Sequence, residues 1–124
     1  MLRALLAAAV MAGSIAAAAA GDVKGEWMRV DGKAKVRFVA CGSEAVCGSI
    51  SWLRDPKNDP GKVGQQVFFD MKPKGEDVWT GSAFNPEDGK TDSGKTTRAG
   101  DRLTTAGCVL GGLICKSMSW TRAR

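Results

Sequence analysis

Gly25-Glu26-Trp27 near the start of this 124-residue chain and Trp120-Thr121-Arg122 at its end are the stretches that decide its fold. Small antiparallel barrels begin and end in this way, with an early tryptophan plugging the base and a late arginine covering it. Trp27 and Arg122 are therefore read as a structural plug, in which a guanidinium over an indole face gains cation–π attraction. Between these ends, short β-branched and aromatic runs recur at hairpin intervals: Val36-Arg37-Phe38-Val39, Ser49-Ile50-Ser51-Trp52, Val67-Phe68-Phe69 and Val78-Trp79-Thr80. No segment after the leader sustains an apolar i, i+3, i+4 pattern over three turns. The spacing predicts strands near 25–30, 34–41, 46–53, 65–71, 77–84, 90–98, 102–109 and 114–122. Eight strands in meander order close a small all-β, up-and-down antiparallel barrel, whose interior is filled by side chains or holds one small ligand.

The turn residues agree with that order. Asp31-Gly32 is a hairpin signal between the first two strands. Asn85-Pro86-Glu87-Asp88-Gly89 places Pro early in a turn and Gly where a left-handed backbone is needed. The longest loop, Asp55-Pro56-Lys57-Asn58-Asp59-Pro60-Gly61, has two prolines that withhold backbone donors from any ladder. It does not fit a calcium loop, because the ligand order is wrong and no bidentate Glu comes after it at the required spacing.

Met1-Leu2-Arg3, the apolar run Ala4 to Ala17 and the small residues Ala18-Ala19-Ala20 read as a cleaved signal peptide, residues 1–20. The run is too short, and too interrupted by Gly13 and Ser14, for a bilayer span. Residues 21–124 are then expected to form a single exported domain, without stable membrane insertion. The chain is basic, with a formal charge of +5. Its Lys and Arg residues are scattered singly among acids, and no basic cluster with interleaved aromatics marks a nucleic-acid partner.

Export makes the four cysteines candidates for disulfides. Cys41 and Cys47 flank a turn at Gly42 to Val46. A two-residue turn at Gly111-Gly112 would set Leu110 opposite Leu113 and Cys108 opposite Cys115. Local pairing of 41 with 47 and of 108 with 115 is expected, since facing residues on antiparallel strands lie within disulfide reach. Pairing across the two hairpins is the rival connectivity. A zinc site is disfavoured by the spacing and by the lack of histidine, and no metal or other cofactor is implied.

Gly89-Lys90-Thr91-Asp92-Ser93-Gly94-Lys95-Thr96 satisfies the G-x-x-x-x-G-K-[ST] phosphate-loop pattern. That loop works only between a strand and a helix N-terminus. Here a turn precedes it and Thr97-Arg98-Ala99-Gly100-Asp101 comes after it, so the match is read as fortuitous. With no histidine or tyrosine in the chain, the Ser-His-Asp and Cys-His arrangements are absent. Glu76-Asp77 and Glu87-Asp88 sit at turns as neighbours rather than converging across a cleft, which glycosidase chemistry requires. No catalytic residue is assigned.

Gly25-x-Trp27, Val36-x-Phe38 leading to Cys41-Gly42, Val46-Cys47-Gly48-x-Ile50-x-Trp52-Leu53, Asn85 to Thr91, Gly107-Cys108-Val109 and Trp120-Thr121-Arg122 form an ordered set across the chain. In that order they resemble the secreted bacterial domain-of-unknown-function family 2147. The resemblance implies a lipocalin-like barrel, a periplasmic or secreted location, and a base in which Trp27 packs beside Arg122. It implies no particular activity. The chain departs from the pattern at Asp92, where an aromatic is expected after Lys-Thr, and its sixth strand is unusually polar.

Alternation would turn Phe38, Ile50, Trp52, Phe84, Met118 and Trp120 inward. Phe38, Trp52, Phe84 and Met118 are the candidate contacts for a small apolar ligand, with a filled core as the bland alternative. A second class is a protein-binding barrel acting on an envelope protein through loops such as 54–64, similar to secreted bacterial protease inhibitors of lipocalin-like shape. An envelope enzyme is the third, with no constellation to carry it. Oligomeric state is not legible in the sequence.

Overall fold

Eight strands succeed one another in chain order, each antiparallel to the next, and the last pairs with the first to close a barrel. They are β1 (Gly25–Arg29), β2 (Ala34–Ala40), β3 (Val46–Leu53), β4 (Gln66–Gly75), β5 (Val78–Asn85), β6 (Lys90–Ala99), β7 (Arg102–Val109) and β8 (Ile114–Arg122). These come from a computed structural model that describes residues 23–123. The signal-peptide reading of residues 1–20 lies outside them. The strands and the meander order match the sequence expectation. The main extension is in β4, which runs on to Gly75 after a register shift near Asp70, whose φ is 50°.

Closure gives every strand a neighbour on both sides, although β8 meets β1 only at residues 120–122, and a closed barrel of this kind limits strand-on-strand aggregation. One end of the barrel carries the turns at 41–45, 76–77 and 100–101 together with the start of β1 and the end of β8. The other carries the turns at 30–33, 86–89 and 110–113 and the long loop 54–65. The first end is packed shut: Trp27, Val36 and Leu103 are fully buried, and Met71, Trp79 and Trp120 join them. Phe38 and Phe68 stack with ring centroids 5.3 Å apart. Gly48 makes that stack fit, because a Cβ there would come within 2.9 Å of Phe68 and 3.0 Å of Phe38.

Simple alternation fails at one place in β3. Lys35 pairs with Trp52 but Val36 pairs with Ile50, so Ser51 is an extra residue in the ladder. This bulge reverses the facing of Trp52 and Leu53. Val46, Gly48 and Ile50 point inward, and the next inward side chain is Leu53. Trp52 is turned to the outer face, 38% exposed, with Lys35 Nζ 5.5 Å from its ring centroid.

Cys41 is bonded to Cys47 across the 41–45 turn, and Cys108 to Cys115, its register partner between β7 and β8. The hairpin beyond Cys108 and Cys115 is longer than the two-residue turn expected. Val109 pairs with Ile114, and residues 110–113 form the turn through a 3₁₀ segment, Leu110–Gly112. Leu110 and Leu113 are therefore turn residues rather than a cross-strand pair, while the Cys108 and Cys115 register is the one the sequence suggested. The phosphate-loop match falls on the β5–β6 turn and on β6, which pairs with β5 over residues 90–97 and with β7 over residues 93–99. Its first N–H groups are used within the turn, Gly89 N to Asn85 O and Lys90 N to Asp88 Oδ1, the rest of the motif lies in a sheet, and no helix is there to complete an anion cradle.

Candidate functional site

Above the packed end, the barrel is hollow. A cavity of about 800 Å³ lies between the strands and the turns of the opposite end. Much of its wall is apolar: Ile50, Leu53, Phe68, Phe84, Met118 and Trp120 line it. Thr105 stands beside this wall, where its hydroxyl accepts a hydrogen bond from Trp120 Nε1 at 2.9 Å. The indole donor is thus satisfied inside the protein, leaving the ring as apolar surface.

The space exists because β5 to β7 withhold side chains. Ala83 and Gly107 line the cavity, and a Cβ on Gly107 would meet nothing nearer than Asp92 Oδ2 at 3.8 Å. Bulkier residues here would convert the hollow into core. The two alternatives open at the sequence level, a filled barrel and one with an open interior, are both realised, each at its own end.

Charged groups surround the mouth. Arg29, at the top of β1, donates from Nε and Nη2 to both carboxylate oxygens of Asp31, at 2.9 and 2.7 Å. Asp31 also accepts from Lys33 N at 3.0 Å, which fixes the β1–β2 turn. The hydrogen bonds from Arg29 hold the Asp31 carboxyl down at about 2, well below its ordinary value. The same hydrogen bond raises the Arg29 pKa against the opposing effect of burial, and the fields of Asp59 and Glu87 add to it. Those two carboxylates approach from the long loop and the β5–β6 turn. Asp92 on β6 and Lys116 on β8 also line the cavity. Four basic and four acidic residues (Arg29, Lys33, Arg54 and Lys116 against Asp55, Asp59, Glu87 and Asp92) make the mouth strongly polar without a net sign.

The four residues expected to meet a ligand part company. Phe84 and Met118 line the cavity. Phe38 is 1% exposed in the core, stacked under Phe68 and outside the cavity wall. Trp52 is on the outside of the barrel, turned there by the bulge at Ser51. Ile50 and Trp120, also expected to face inward, do so on the cavity wall. Leu53, Phe68 and Asp92 escaped the sequence reading. Leu53 was hidden by the bulge, whereas the inward series Asp92, Gly94, Thr96 on β6 was readable once the strand's facing was known.

At the packed end, Trp27 is fully buried and its Nε1 donates to Val23 O at 2.9 Å. The Arg122 guanidinium carbon stands 4.0 Å from the Trp27 ring centroid, and Nη1 donates to Lys24 O at 2.9 Å. Gly25, two residues before Trp27, has φ of 114°, and a Cβ there would come within 3.3 Å of Arg122 Nη1. Glycine is favoured by both the backbone and the space. These contacts give the Gly-x-Trp and late-Arg spacing a single physical cause.

Among the described residues no group of three or more His, Cys, Asp or Glu side chains is arranged to hold a metal ion, and no helix is long and apolar enough to cross a membrane. Comparison with known proteins found no match among curated proteins or among solved structures. A match to one protein family spans β1 to β8, residues 25–122, and so includes both the Trp27–Arg122 base and the whole cavity wall. The chain belongs to that family, described as "Uncharacterized protein conserved in bacteria (DUF2147)".

Proposed function

We propose that this protein is an exported, non-catalytic binding barrel that holds a small molecule by an apolar part in the cavity, with a polar part at the mouth. The observation that carries the reading is the cavity of about 800 Å³, which falls within the size range of small-molecule sites. Aliphatic and aromatic side chains make up much of its wall, and charged groups from the loops and strand ends gather at the opening. This refines the expectation of a wholly apolar ligand toward an amphipathic one. Export rests on the leader sequence and is compatible with two disulfides.

Native mass spectrometry of the exported protein, before and after denaturation, tests the proposal. A bound small molecule present in the native spectrum and lost on denaturation supports it. A protein without any adduct that also fails to bind apolar probes counts against it.

A second reading, a protein-binding barrel, draws on the β7–β8 hairpin tip. Leu110 and Leu113 are 68% and 85% exposed there, beside the Cys108–Cys115 bridge. Replacing both leucines with serine would abolish association with an envelope protein on this reading, and would leave small-molecule binding unchanged on the first.

A further inference from the structure

We propose that the cavity selects amphiphiles with a positively charged, ammonium-type head, and that Asp92 is the group that binds it. This rests on the binding reading above and adds the chemistry of the head. Asp92 is half-buried on β6, at the same facing as Gly94 and Thr96, and it lines the cavity. Its Oδ2 lies 3.8 Å from where a Cβ of Gly107 would stand, so the carboxylate stands beside the stretch of wall that this glycine leaves bare. Below it are Thr105, Met118 and Trp120, an apolar bed for a hydrocarbon chain.

The other mouth carboxylates already have work within the protein. Asp31 is bound twice by Arg29, Asp55 accepts from Asn58 Nδ2 at 3.0 Å, and Asp59 accepts from Gly61 N at 2.8 Å. Glu87 is the exception, but it is exposed on the β5–β6 turn, where water solvates it, whereas Asp92 is half-buried. Asp92 has no hydrogen bond or ion pair of this kind among the described residues. A carboxylate beside an apolar wall gains most from a cationic donor that enters with the ligand.

Lys116 is the rival for this role, as it faces the same cavity from β8. Two strand spacings, about 10 Å, separate the β6 and β8 backbones. Lys116 is exposed, and its long stem lets the ammonium leave the cavity for water. Asp92, with one methylene, cannot withdraw. The fixed charge inside the barrel is therefore negative.

The test is calorimetric titration of the purified protein with dodecylamine, dodecanol and dodecanoate, each below its micellar concentration. The expected result is that dodecylamine binds about tenfold or more tightly than dodecanol, the ratio given by one charge-assisted hydrogen bond. Asp92→Asn should erase that preference while leaving dodecanol binding unchanged, which also shows that the variant is folded. Lys116→Gln should keep the preference for the amine. Equal binding of amine and alcohol, or tighter binding of dodecanoate that Lys116→Gln removes, overturns the assignment to Asp92 and leaves the binding reading standing. Failure of all three to bind overturns both.

Discussion

Trp27 and Arg122 are direct register partners across β1 and β8, and the Arg122 guanidinium carbon lies 4.0 Å from the centre of the Trp27 ring. The seam that closes the barrel and the plug that seals its base are thus one contact. The first and last strands meet where the largest buried side chain is covered by a cation. Trp27→Ala should cost about 3–5 kcal/mol, the usual loss for truncating a buried large aromatic. Arg122→Ala should cost less, because it removes the lid and the bond to Lys24 O but leaves the indole packed. Thermal and denaturant melts measure both, and two unchanged melts would contradict the plug.

The two disulfides each close a short hairpin, so their effect on the unfolded chain is small and similar. The chain-entropy relation gives about 2.4 kcal/mol for each. Peptide mapping without reduction should recover Cys41 with Cys47 and Cys108 with Cys115. Peptides that join the two hairpins would contradict this connectivity. Loss of Cys108–Cys115 should loosen the open end and affect binding more than loss of Cys41–Cys47, which lies at the packed end.

The Arg29–Asp31 pair predicts an acid-dependent term. Asp31 titrates near 3.9 in an unfolded chain and at about 2 in the folded protein. Above pH 4 it is ionised in both states, and folding gains the full pairing energy. As pH falls from about 4 to 2, the unfolded chain takes up the proton first and that gain disappears. The pair is partly exposed, with side chains 23% and 36% accessible, so screening limits it to about 0.5–1 kcal/mol. Asp31→Asn should be less stable than the parent by that amount at pH 7, and the two should converge near pH 2. A gap that persists at pH 2 would refute the electrostatic origin.

Thr96 is buried and its hydroxyl has no hydrogen-bond partner among the described residues. Burying an unpaired hydroxyl costs about 1–3 kcal/mol. Thr96→Val keeps the shape without the polar atom and should raise stability by about 1 kcal/mol in denaturant melts. A loss of stability would place an ordered water or other partner at Thr96.

Most of the fold was legible because its signals are local. Asp31-Gly32 and Asn85 to Gly89 announce their turns chemically, and the Asn85 side chain accepts from Glu87 N as its position in the turn suggests. The Gly25, Trp27 and Arg122 spacing is likewise a packing requirement written in residue type. The candidate site was only half legible, since facing within a strand depends on partners distant in sequence. Trp52 reads as inward by counting from Ile50, yet the extra residue Ser51 is visible only when β3 is laid against β2. Phe38 was placed on the correct face, but its depth depends on Phe68 and Gly48. Asp92 is a polar residue in a strand by sequence, and its place in the cavity depends on Gly107 leaving the wall bare beside it.

Titration with the neutral apolar fluorophore N-phenyl-1-naphthylamine, comparing the parent with Gly107→Leu, tests the cavity most directly. The open space at Gly107 accepts a leucine side chain, which would fill the hollow over Met118 and Trp120 without disturbing the packed end. The account predicts saturable one-to-one binding to the parent and at least a tenfold loss in Gly107→Leu, with a melting temperature equal to or above that of the parent. Absence of saturable binding to the parent, or equal binding by a folded Gly107→Leu variant, would contradict it.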